Sequence, residues 1–218
     1  MVAWEERAAR ALERYEDGVS RLPDDPEQRQ RQLTRIGNAA WSAGLSLLML
    51  GRREDGAEWL LRAADRYRES WPDAPSSSWG RPIGALKSRL IAGDLQGARS
   101  DAGWALEAGA AEADSPIGRY AAAVSHLVLG DDAAAAGLAA ALGSRDDFPG
   151  MVAGCLAGLA ARDAAGYERS LRALLADFEG RDEFLEDTPV ADTVLALQAL
   201  AGARGLAVQL SSPMLPES

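Results

Sequence analysis

The 218-residue chain has one cysteine, Cys155, and one histidine, His126. A single thiol excludes an intrachain disulfide and a thiolate zinc site. A single imidazole leaves nothing for a His-rich metal centre or a two-imidazole relay. Cys155 lies within the apolar run Met151–Leu159 and reads as core. His126 falls near the end of the stripe Ile117, Tyr120, Ala121, Val124, Leu127 and Val128, and reads as a helix-end residue. Lysine is reduced to Lys87 beside 22 arginines, a bias that with abundant alanine fits a GC-rich genome or a high-salt host. Long hydrophobic runs are missing: the stretches near residues 45–50 and 194–201 are too short to span a bilayer. Met1 leads straight into the charged stretch 5–14 without a signal-peptide core, so the expectation is a cytoplasmic protein without membrane contact. No Gly-x-Ser-x-Gly elbow, Gly-x-x-x-x-Gly-Lys loop or Gly-x-Gly-x-x-Gly turn occurs. Nucleophilic catalysis therefore lacks its parts, and no catalytic residue, metal or cofactor is expected.

What is present is apolar content of 47%, enough for a continuous core, and a net charge of −10 that is unevenly placed. Residues 1–100 carry 16 basic and 15 acidic side chains, whereas residues 101–218 carry 7 basic and 18 acidic. The acids concentrate at Asp177, Glu179, Asp182, Glu183, Glu186, Asp187 and Asp192, with only Arg181 among them. Such a field repels nucleic acid and attracts basic proteins, so the expected partner is another, basic protein rather than DNA or RNA. Acid-rich loops that merely keep the chain soluble would look the same.

Proline recurs at Pro82, Pro116, Pro149 and Pro189, where it is expected at the first position of a helix, since its missing N–H would be unpaired there. The helices so opened end at Gly93-Asp94, Gly130-Asp131, Arg162-Asp163 and Arg204-Gly205. Between those marks apolar residues follow three-and-four spacing, as in Leu60, Leu61, Ala64 and Tyr67, or Leu171, Leu174, Leu175 and Phe178. The pattern predicts ten helices, at about 2–21, 27–50, 54–71, 81–92, 95–108, 116–129, 132–142, 149–161, 164–179 and 189–204. Strand-like alternation occurs only at Leu206, Val208 and Leu210. Two- and three-residue connections force antiparallel neighbours, giving an all-α chain of stacked hairpins. The expected organisation is one domain over 1–218, with Trp- and Arg-rich hairpins at 1–71, proline-marked hairpins at 81–204 and a short extended tail at 205–218.

Arg81-Pro82-Ile83-Gly84 leading to Gly93-Asp94 parallels Ser115-Pro116-Ile117-Gly118 leading to Gly130-Asp131, an internal duplication. In Leu50-Gly51 to Ala57, Ala92-Gly93 to Ala98 and Leu129-Gly130 to Ala136 an alanine follows the glycine by about six residues. These segments resemble tetratricopeptide-type helical repeats, and the resemblance implies an α-solenoid that binds other proteins. The last sixty residues show a second resemblance, in the Arg162-Asp163 turn, the apolar helix Val190–Leu200, Gly205-Leu206-Ala207-Val208 and the ending Ser212-Pro213-Met214-Leu215-Pro216. That order is similar to the all-helical immunity family numbered forty-nine of bacterial polymorphic-toxin systems, with the acidic stretch Glu179–Asp187 in place of a more aromatic segment. The resemblance implies an inhibitor that occludes a basic toxin.

All six tryptophans lie in the first 104 residues. Trp71 and Trp79 bracket the turn-rich stretch Pro72–Ser78, and tryptophan beside arginine at a loop is typical of recognition surfaces. Trp71, Trp79 and Arg81, with Lys87 and Tyr120, are therefore candidate binding residues; alternatively Trp79 simply staples the next helix. Asp182, Glu183, Glu186 and Asp187 form a candidate acidic surface. Asp24-Asp25-Pro26-Glu27 reads as helix capping rather than as a metal motif. The sequence supports a non-catalytic protein-interaction module, with a small-ligand binder or enzyme using the Trp71/Trp79/Arg81 loop as the alternative.

Overall fold

In the computed structural model, residues 3–217 are described. They form α1 (Trp4–Ser20), α2 (Pro26–Met49), α3 (Arg53–Glu69), α4 (Gly80–Ala92), α5 (Leu95–Glu107), α6 (Pro116–Leu129), α7 (Asp132–Gly143), α8 (Gly150–Ala161), α9 (Ala164–Glu179) and α10 (Asp192–Gly202), with one 3-10 turn at Leu185–Asp187 and no strand among the described residues. The chain is all-α, and no described helix is long and apolar enough to cross a membrane.

The short turns explain most helix ends. Gly93 and Gly130 take φ of 79° and 87° to close α4 and α6, a region costly for residues with a Cβ. The next residue is an aspartate whose carboxylate accepts the third N–H of the following helix: Asp94 from Gly97 at 2.8 Å and Asp131 from Ala134 at 3.1 Å. Asp163 does the same for Gly166 at 3.0 Å, although Arg162 must itself adopt φ 54° where glycine stands elsewhere. Asp25 caps α2 by accepting from Gln28 at 2.9 Å, and Pro26 follows at the first helical position. The prolines vary more than the sequence suggests. Pro116 opens α6, Pro82 is the third residue of α4, Pro149 is the N-cap of α8, and Pro189 precedes α10 by three residues. Any place that needs no N–H tolerates the ring, so proline marks a helix start only to within a turn.

Each helix packs against the next, and α4 also adjoins α6, which adjoins α8. The small residue at each close contact lies five positions beyond the turn glycine. Gly56, Ala98 and Ala135 are buried, while Ala136 is exposed and Ala57 half-buried. A Cβ at Gly44 would lie 2.9 Å from the Gly56 carbonyl, so α2 and α3 touch through their backbones. Charge also joins helices: the buried carboxylate of Asp101 accepts from Arg68 and Arg89, each at 2.6 Å, and Arg89 continues to Asp65 and Asp94.

The end of the chain turns back on this array. Helix α10 lies against α4, α8 and α9, and the 3-10 turn touches α2. Its start is delayed to Asp192 because Val190 and Ala191 are buried and the Ala191 N–H donates to the Met214 carbonyl at 3.0 Å. Leu206, Val208 and Leu210 pack against the main core without joining a sheet. Gln198 fixes them by donating to the Val208 carbonyl and accepting its N–H.

Candidate functional site

The first long connection, Ser70–Trp79, folds onto the protein. Trp79 is 7% exposed, and the half-buried Trp71 packs against it at 5.5 Å between ring centroids and against Trp104 at 5.7 Å. Arg81 donates to Ser70 Oγ at 2.8 Å, to Thr34 at 3.2 Å and to Gln30 Oε1. Burial lowers its guanidinium from the ordinary arginine value. Gln30 and Thr34 stand on α2 and Ser70 in the connection, so Arg81 fastens the connection to α2.

The second connection, Gly180–Ala191, crosses from α9 toward α1 and α2. Glu186 pairs with Arg14 and accepts from Asn38 at 3.4 Å, and the Asp187 carbonyl accepts from Arg7. Thr188 is buried and its hydroxyl meets that of Ser42 at 2.6 Å. Glu186 and Asp187 have φ of 55° and 52°, a left-handed conformation that costs roughly 1–2 kcal/mol for each residue with a Cβ. The polar contacts to α1 and α2 hold that strained turn in place.

Where the connection crosses, it divides one cleft into two lobes. The first, about 290 Å³, is lined by Ile117, Tyr120, Phe148, Val152, Phe178 and Phe184, among others, with Glu183 and Arg181 at its edge. The second, about 330 Å³, is lined by Asn38, Tyr67, Ile83 and Arg81. Trp41, Lys87, Leu185 and Asp192 line both. At this junction Lys87 Nζ donates to Asp192 and, at 3.3 Å, to Thr193. Two tyrosines stand in the walls. The Tyr67 ring fits between Gly37 and Gly84, where added Cβ atoms would lie 2.9 and 3.0 Å from it, and its hydroxyl donates to Asn38 at 2.9 Å. Burial, with Asp192 and Glu186 nearby, pushes the Tyr67 hydroxyl well above the ordinary phenol range. Burial does the same to Tyr120, against a smaller opposing hydrogen bond with Thr193.

The cleft is mainly apolar at its mouth. Leu185 and Ile117 are 55% and 41% exposed, two of the few large apolar side chains left in solvent. Among the described residues no three His, Cys, Asp or Glu side chains are placed to hold a metal ion. His126 lies 3.4 Å from Asp131, and Cys155 is buried in α8, where burial pushes its thiol up to about 12.

Of the residues singled out from sequence, Arg81, Lys87, Tyr120 and Glu183 converge on the cleft, whereas Trp71 and Trp79 lie in the packing behind it. The acidic group separates. Glu186 is engaged by α1 and α2, while Asp182, Glu183 and Asp187 are exposed. Trp41, Asn38, Asp192 and the pair Phe184-Leu185 were not foreseen. Lys87, as the one lysine, needed a partner charge, but the distance to Asp192 in sequence hid which it was. Comparisons with models of protein families, with curated proteins and with solved structures find nothing that matches this chain.

Proposed function

We propose that the chain is a non-catalytic, tetratricopeptide-like α-solenoid that binds another protein through the two-lobed cleft on the row α2, α4, α6, α8. The observation that carries this reading is the cleft itself: aromatic walls, a polar junction at Lys87 and Asp192, and the exposed apolar pair Ile117 and Leu185 at its mouth. Apolar pockets with a few fixed polar groups take bulky side chains of a partner segment and orient them. A partner whose wider surface is basic, as the net charge suggests, would be steered by the acid-rich C-terminal half, where charge speeds encounter more than it adds affinity. An immunity-type inhibitor is a special case in which the partner is a toxin.

Selection of a random twelve-residue peptide library on the immobilised protein tests the proposal. Enriched peptides should carry bulky apolar residues, and Ile117→Glu, at an exposed position, should weaken them at least tenfold. Peptides that bind Ile117→Glu equally well, or no enrichment at all, would overturn it.

A further inference from the structure

The segment across the cleft reads Asp182-Glu183-Phe184-Leu185-Glu186-Asp187, an apolar pair with two carboxylates on each side. Phe184 lines one lobe and Leu185 lines both. On the side facing α1, Arg7, Arg10 and Arg14 surround a hollow of about 320 Å³ with Ser42, Glu186 and Asp187. Their spacing of three and four residues puts the three guanidinium groups on one helix face. The resident segment uses this face incompletely. Arg14 holds the Glu186 carboxylate and Arg7 only a backbone carbonyl, while Arg10 reaches the Glu6 carbonyl of its own helix at 3.4 Å. The segment is also seated with two consecutive left-handed residues, so its fit is strained.

An apolar cleft and an arginine face, spanned by one acid-flanked Phe-Leu segment whose Leu185 lines the cleft and whose Glu186 lines the arginine hollow, identify the chemistry of the occupant. We propose that the cleft and the arginine face together dock an extended segment of a protein partner bearing an adjacent aromatic and aliphatic residue flanked by carboxylates, and that residues 182–187 are a resident copy which that segment displaces. The inference rests on the cleft being the partner site and adds which segment enters it. Because the resident copy is tethered, it competes at an effective concentration in the millimolar range, so a separate peptide binds the intact protein less tightly than a chain whose resident pair is removed, yet still measurably.

The probe is a fluorescein-labelled peptide copying residues 179–190, followed by anisotropy. The full-length chain carrying Phe184→Ser, Leu185→Ser and Glu186→Gln should bind it at least tenfold more tightly than the unaltered chain. Adding Arg7→Gln and Arg14→Gln should remove at least tenfold of that affinity. If the altered chain keeps its helical circular dichroism yet binds no better than the unaltered one, or if removing the arginines changes nothing, the inference is wrong. A peptide with Phe-Leu flanked by lysines separates the two levels. Binding as tight as the acidic peptide's overturns this inference and leaves the cleft standing, whereas binding of neither peptide overturns both. Should the triple variant fail to fold, hydrogen exchange on the unaltered chain decides. Saturating peptide should speed exchange of amides 181–188 without affecting α8, and unchanged exchange there refutes the displacement.

Discussion

The two long connections have opposite compositions and opposite fates. Ser70–Trp79 carries tryptophan at its end and arginine just beyond it, the chemistry associated with recognition, yet its rings pack on one another and Arg81 bonds to three neighbours within the chain. Gly180–Ala191 has a run of acids that suggests a solvated loop, yet it crosses a cleft, places Leu185 between two lobes and is held at Glu186 and Thr188. Residue type told less than what lies underneath. The first connection covers packed side chains, and the second covers space.

Alkaline pH should have the largest effect, because it ionises buried groups of the core and of the cleft walls together. In the folded chain burial raises the thiol of Cys155 to about 12 and raises the hydroxyls of Tyr67, Tyr120 and Tyr167, whereas unfolded thiols and phenols ionise near roughly 8.5 and 10. Raised values in the folded state mean that this stabilisation is complete below about pH 8.5 and is lost as pH climbs toward 12. Urea midpoints should be flat from pH 7 to 8.5 and fall steeply above 10; a level midpoint at pH 11 contradicts the burial of these groups.

Next in size, Trp79→Ala should cost about 3–5 kcal/mol by emptying the space behind the first connection. Leu185→Ala, half in solvent, should cost less than about 0.5 kcal/mol while changing peptide binding. Equal losses in chemical denaturation would erase the distinction between the connections. Arg81→Ala should cost about 1–3 kcal/mol, since it strips a partner from the buried Gln30, whose Nε2 is already unpaired. Arg81→Lys should not restore it, because an ammonium cannot reproduce the fork that reaches Gln30, Ser70 and Thr34. A further effect concerns strain away from both connections. Arg162→Gly should raise stability by about 0.5–1 kcal/mol, as glycine takes φ 54° without the Cβ penalty; a loss would show that the Arg162 side chain matters more than its backbone.

Local chemistry was the legible part. Gly-Asp turns fix where α4 and α6 stop and where α5 and α7 begin, because glycine conformation and aspartate capping act within four residues. Asp25 as a cap was equally readable. The start of α10 was not, since the extended backbone at Val190 and Ala191 is imposed by a hydrogen bond to Met214. The small residue after the turn is legible at Ala98 but not in the other two hairpins, where only the packed structure shows that Gly56 and Ala135, rather than Ala57 and Ala136, are buried. The cleft was visible only in fragments. Arg81, Lys87 and Tyr120 sit on helices whose faces could be sketched, but Trp41, Asp192 and Leu185 join them from distant parts of the chain.

The chain's one lysine occupies the junction of the two lobes, against Asp192. That makes Lys87 the sole side-chain amine available to acylating reagents. A single acyl group there would erase the positive charge facing Asp192 and mark the cleft by mass, and any molecule seated over the junction would slow the labelling. Arginine's indifference to such reagents turns a compositional bias into a one-site chemical reporter of occupancy.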